Sequence, residues 1–155
     1  MAWAFMSGKT EPSLRARAMR FLARREHSRA ELKRKLEPKV GEGENLETLL
    51  DDLALRGWLS DSRFAEISIR AKSRRFGPLK LVHELRSKGV GEEEIAAGFR
   101  AAGVEAVSSI RGVWATRFTS APADAREKGR QVRFLQGRGF ALDDIFNFLK
   151  ALETP

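Results

Sequence analysis

GWLSDSRFAEISIRAKSRRFGPLKLVHEL, residues Gly57–Leu85, decides the fold. A glycine opens it and an apolar residue, Trp58, follows at once. Phe64, Ile67 and Ala71 then recur at the three-to-four residue spacing that keeps side chains on one face of a helix. The pattern breaks at Arg74-Arg75-Phe76-Gly77-Pro78 and resumes with Leu81 and Leu85, four residues apart. Proline suits a first helical turn, where its missing N–H has no partner to lose. The stretch reads as helix, corner, helix, and nothing in it alternates with the period of a strand.

The same pattern extends in both directions. Leu14, Ala18, Phe21 and Leu22 share a face, as do Leu46, Leu49, Leu50 and Leu53, then Ile95 with Phe99, and Ile145 with Leu149. Gly57, Gly89, Gly103 and Gly139 each precede an apolar residue (Trp58, Val90, Val104, Phe140), the signature of a left-handed residue that ends a helix and lets the next side chain fold back. Ser60 or Asp61 suits a helix cap, and Pro122 a first turn. About nine helices are predicted, near 12–26, 28–37, 45–56, 60–75, 78–88, 91–102, 104–119, 123–138 and 141–152. A short motif recurs: Arg25-x-His27-Ser28 before Leu32 and Leu36, Arg74-x-Phe76-Gly77 before Leu81 and Leu85, Arg138-x-Phe140-Ala141 before Ile145 and Leu149. A basic residue, a ring that plugs a corner, a small residue and two inward aliphatics describe repeated helical modules stacked into an elongated body.

A chain of 155 residues without cysteine can hold neither disulfides nor thiolate metal sites, and it is long enough to bury a core without staples. The opening MAWAFMSGKT lacks a basic segment before its apolar part, and no apolar run nears the ~20 residues that span a bilayer, so a soluble, cytoplasmic protein with no membrane partner is expected. Lys+Arg 29 against Asp+Glu 21 gives +8. The charge comes in blocks: +6 over residues 1–43, −3 over 44–59, +5 over 60–90, −3 over 91–110 and +3 over 111–155. Basic blocks favour an anionic partner, either nucleic acid or an acidic protein groove.

Catalytic motifs do not survive inspection. The SGKT at Ser7–Thr10 has Trp3 where a phosphate loop needs glycine, and Pro12 follows too soon for a helix. His27 and His83 are too few for a metal site, and His27 reads as a corner plug. Asp51-Asp52 and Glu92-Glu93-Glu94 are consecutive, so they point around a helix rather than converging; the second group favours a helix N-terminus. Trp58 and Trp114 have faces that can stack on bases, but Trp58 after its glycine reads as core. No cofactor and no metal are expected. What remains is basic: Arg24, Arg25, Arg29, Lys33 and Arg34 across the first corner, and Arg70, Lys72, Arg74, Arg75 and Lys80 across the second. Such residues hold phosphates without reading sequence.

FLARREHSRAELKRKL (Phe21–Leu36), GWLSDSRFAE (Gly57–Glu66), GPLKLVHELRSKGV (Gly77–Val90) and RFLQGRGFALDDI (Arg133–Ile145), in this order and spacing, resemble the RecX family of bacterial regulatory proteins. The likeness spans roughly residues 13–150 and departs from the usual pattern at Trp58 and Gly137. It implies an all-α, curved array of three tandem three-helix repeats: a tail at 1–11, then repeats at 12–59, 60–103 and 104–153. It also implies a non-enzymatic regulator that lodges in the groove of the RecA filament on DNA. There it would restrain filament growth, ATP hydrolysis, strand exchange and the co-protease activity of the SOS response, in DNA repair and homologous recombination. Weak DNA binding without sequence preference and a monomeric state are expected with it. Two other readings stand beside it: a sequence-specific helix-turn-helix DNA binder, and a helical scaffold with no nucleic-acid contact.

Overall fold

The computed structural model describes residues 10–103 and 106–154. Trp3, Ser7–Lys9 and Val104, each weighed above, lie outside them. Nine α-helices and no strand occur among the described residues: α1 Leu14–Arg24, α2 Arg29–Leu36, α3 Leu46–Leu55, α4 Asp61–Lys72, α5 Pro78–Ser87, α6 Glu92–Ala102, α7 Ala106–Ala115, α8 Ala125–Gly137 and α9 Leu142–Glu153. They form two compact units, one ending at Ser60 and one beginning at Asp61.

In the first unit the caps are local chemistry. Ser13 accepts the Ala16 N–H at 3.1 Å, Asn45 accepts the Thr48 N–H at 3.0 Å, and Ser28 with Glu31 forms a reciprocal capping box at the start of α2. Leu32, Leu36, Leu50 and Leu53 are fully buried with Leu14, Ala18, Leu49 and Leu59 around them. Each full burial of a leucine stabilises by about 1.5–3 kcal/mol. These side chains hold α1, α2 and α3 together.

The second unit has two cores. Phe64, Ala65, Ile69, Leu81, Leu85, Val90 and Ile95 fill the α4–α6 core, and Ile110, Val113, Trp114, Phe118, Leu135, Phe140, Ile145, Phe148 and Leu149 fill the α7–α9 core. Gly98 permits the close approach of α6 to α4, since a Cβ there would meet that of Ala65 at 2.6 Å. Two backbone hydrogen bonds tie the cores: the Gly77 N–H donates to the Arg138 carbonyl at 2.7 Å, and the Leu79 N–H to the Gly139 carbonyl at 3.0 Å. A Cβ on Gly77 would lie 2.6 Å from the Gly139 oxygen. The corner before α5 is therefore docked, backbone to backbone, on the corner before α9.

Five expectations are corrected. The third copy of the corner motif is not equivalent to the other two, because it precedes the third helix of its group whereas the others precede the second. Its intervening residue, Gly139, has φ 101, and the Phe140 N–H bonds back to Leu135. That is the helix-ending geometry of Gly89 and Val90, which Glu26 and Arg75 do not share. The six aliphatics are nevertheless all buried. Trp58 is 44% exposed beneath the Arg56 guanidinium, and Leu59, one residue on, takes the core position. Phe76 is only partly buried, while His27 and Phe140 are fully so. In α4 the buried face is Phe64, Ala65 and Ile69; Ile67 and Ala71 face outward. Pro122 lies before α8, which Asp124 caps by accepting the Glu127 N–H.

Candidate anion-binding site

The ten basic residues singled out from sequence divide by the partner each finds. Arg25 pairs with Glu31 at 2.5 Å; Arg29 reaches both Glu47 at 3.0 Å and Asp51 at 2.6 Å; Lys33 joins Glu47 at 2.6 Å. The hydrogen bonds from Lys33 and Arg29 hold the Glu47 carboxyl below its usual range, and donating to Glu47 raises Lys33. Arg70 pairs with Glu66 at 3.1 Å and donates to the Ala101 carbonyl at 2.8 Å, while Lys72 is bound to Glu84. These five are largely neutralised within their own units. Arg24, Arg34, Arg74, Arg75 and Lys80 have no carboxylate partner among the described residues.

In the first unit the free cations gather where α1 faces α2. Arg17, Arg20 and Arg24 form an i, i+3, i+7 stripe and, with Lys35, Lys39 and Phe21, line a cavity of about 250 Å³. One carboxylate, Glu11, reaches Arg17 at 2.8 Å. Lys35 is held at its base: its Nζ lies 5.0 Å from the Phe21 ring centre and donates to His27 Nε2 at 2.9 Å. The buried His27 ring is neutral in this arrangement, its Nδ1–H donating to the Arg25 carbonyl at 3.0 Å. Burial first, and then the charges of Arg25 and Lys35, hold the imidazole below its ordinary value of 6.5.

In the second unit the cations lie on rings. Lys80 Nζ stands 4.7 Å from the centre of Phe76, and the guanidiniums of Arg75 and Arg138 are each at 5.8 Å. Arg138 also lies 5.1 Å from Phe134, where Arg117 adds a second guanidinium at 5.6 Å. Phe134 meets Phe118 edge-on at 5.3 Å, and Arg130 lies 5.7 Å from Phe118. Five cations thus rest on three rings in succession. Arg75, Thr116, Arg117, Phe134 and Arg138 line a cavity of about 360 Å³. Arg117, Arg130 and Arg138 were not among the ten, although Arg138 was named as the basic residue of the third corner motif. For Arg117 a further signal was available: five of the ten phenylalanines (Phe21, Phe64, Phe76, Phe118, Phe134) directly follow an arginine.

Fold and surface together define a class: all-helical three-helix domains whose corners carry cations on a small core. The comparisons give the family. The first, second and third three-helix domains of RecX match residues 15–43, 60–98 and 105–149. "Regulatory protein RecX" of Leptothrix cholodnii is 41% identical over 144 residues, covering 93% of this chain and 92% of the relative. That of Neisseria meningitidis is 43% identical over 142 residues, covering 92% of each chain. The crystal structure of RecX from Lactobacillus salivarius superposes with a TM-score of 0.73 at 17% identity, over 92% of this chain and 96% of that one. The chain belongs to the RecX family of regulatory proteins.

Proposed function

We propose that this protein binds the RecA nucleoprotein filament in its groove and restrains filament growth, ATP hydrolysis, strand exchange and co-protease activity. One observation carries the reading beyond family membership: each unit presents a group of cations that its own carboxylates leave uncovered, suited to a partner with anionic surface. The action is regulatory; no catalytic step is assigned to the chain. The corner cations Arg24, Arg34, Arg74, Arg75 and Lys80 are the contacts, and Arg25, Arg29, Lys33, Arg70 and Lys72 shape and hold those corners.

The helix-turn-helix alternative needs the second helix of a module to enter a DNA groove with its N-terminal residues. That end of α5 is occupied. The Leu79 N–H is bound to Gly139, and a Cβ on Gly139 would meet that of Lys80 at 2.5 Å. Titrating the protein into preformed RecA filaments while following ATP hydrolysis tests the proposal. Hydrolysis should fall as the protein saturates the filament, and unchanged hydrolysis at saturation would remove the reading.

A further inference from the structure

We infer that the ring-backed cations of the second unit, centred on Arg138 and Arg117, take the phosphates of a single nucleic-acid strand. The inference rests on the reading above that the partner is a nucleoprotein filament, and it names which component this face meets.

A ring beneath a cation leaves its hydrogen-bond donors free. A guanidinium over a ring uses its face, while its five N–H donors lie in its plane and point away. Arg138 has its guanidinium carbon 5.8 Å from the centre of Phe76 and 5.1 Å from that of Phe134, and no side-chain acceptor or carboxylate reaches it among the described residues. Arg117 and Arg75 share the arrangement. Guanidinium forks that no carboxylate occupies match the tetrahedral oxygens of phosphate and bind them in pairs.

The bed beneath them is stiff. Gly77 and Gly139 bring two corners to within 2.7 Å, N to O, and Phe140, 1% exposed, fixes the second corner in the core. The contrast with a protein-docking face is in the lining. Protein interfaces rest on exposed apolar anchors at their centre. None of the lining residues is an exposed large apolar one, and the rings are already covered by cations. Several cations without carboxylates make a surface whose affinity comes from counterion release.

The test is the fluorescence anisotropy of a labelled oligothymidylate titrated with the full chain, from about 50 to about 200 mM salt. Arg117→Gln with Arg138→Gln should flatten the log–log salt slope by about 1.4, at about 0.7 per lost single-strand phosphate contact. Arg86→Gln removes a cation already paired with Glu92 at 2.5 Å and should leave the slope unchanged. The double lysine variant keeps the charges but loses the forks, so the slope should persist with weaker binding. Should the glutamine pair melt early, Arg75→Gln with Lys80→Gln puts the same question to exposed positions. A wild-type slope in either glutamine pair overturns the inference, as does equal flattening by Arg86→Gln. So does loss of filament binding with strand binding intact, which would make the face a protein contact. If the wild-type protein binds the strand with this slope yet leaves RecA hydrolysis untouched, the filament reading fails and the phosphate site stands.

Discussion

The corner between α1 and α2 and the corner between α4 and α5 look alike in sequence, each a run of arginines ahead of a ring, yet they manage their charge by different chemistry. In the first, carboxylates answer part of it: Glu31 holds Arg25, and Glu47 and Asp51 hold Arg29, while Arg24 and Arg34 stay uncovered. In the second, rings answer much of it: Phe76 and Phe134 carry Lys80, Arg75, Arg138 and Arg117. A carboxylate cancels a cation and competes with an incoming phosphate. A ring positions the cation and leaves its charge available. Density of arginine in a sequence is thus a poor measure of binding surface until the partners of each are known.

The largest expected effect attacks the bed of the second corner. Phe140→Ala empties a fully buried ring site beside Gly139, and should cost about 3–4 kcal/mol in chemical denaturation. It should also steepen the loss of strand binding beyond any effect of Phe76→Ala. Phe76 is only partly buried, so its truncation should cost about 1–2 kcal/mol while still releasing Lys80 and Arg75. Equal costs for the two would mean that the rings play the same role, and the corners would no longer differ as argued.

Acid separates the regions next. His27 is held below its ordinary 6.5, so the unfolded chain takes up the proton first as pH falls. Its contribution is fully present above about 6.5 and is lost as pH drops through the folded value. Glu31, Glu47 and Asp52 are likewise depressed, and their contributions disappear as pH falls further, below the ordinary carboxylate range. All four lie in the first unit; in the second, Glu92 is also depressed, by its hydrogen bond from Arg86. The ring-held cations of the second unit have no carboxylate partner among the described residues. In a protein with Trp3 and Trp58 replaced by Phe, emission from the buried Trp114, bonded to Gln131 at 2.8 Å, reports the second unit alone. Helicity should begin to fall with acid before Trp114 emission shifts. A simultaneous shift, or an earlier one, contradicts the division.

Much of the fold was legible because it is written locally. Helix ends were marked by Gly57, Gly89 and Gly139, whose positive φ values of 77, 78 and 101 match the left-handed stop. The leucines of α2, α3 and α5 showed their buried face by spacing alone. The face of α4 was misread, since Ile67 and Ala71 fit a helical stripe as well as Ala65 and Ile69 do. Only the approach of α6 at Gly98 chooses between them. The site was less legible for the same reason. Arg29 meets Glu47 and Asp51 across 18 and 22 residues, and Arg138 meets Phe76 across 62, so their fates are set by tertiary packing. A run of arginines shows how much charge is present, not what answers it.

The smallest expected effect on stability is also the most direct test of masking. Glu47 is exposed and bonds both Lys33 and Arg29, so Glu47→Gln removes the charge that covers them while keeping the side chain's shape. An exposed ion pair contributes little to stability, so the melting curve should barely move. Strand binding should tighten, because Lys33 loses the carboxylate bound to it and Arg29 loses one of its two ion pairs. One added phosphate contact steepens the single-strand salt slope by about 0.7, which near 0.1 M salt corresponds to roughly fivefold in affinity. Phe76→Ala moves the second corner the opposite way, since it frees cations from a ring that masks nothing. If Glu47→Gln leaves both slope and affinity at the wild-type values, then Arg29 and Lys33 face away from any strand. These two cations would then differ from those of the second corner in position, and their carboxylates would not be what keeps them from binding.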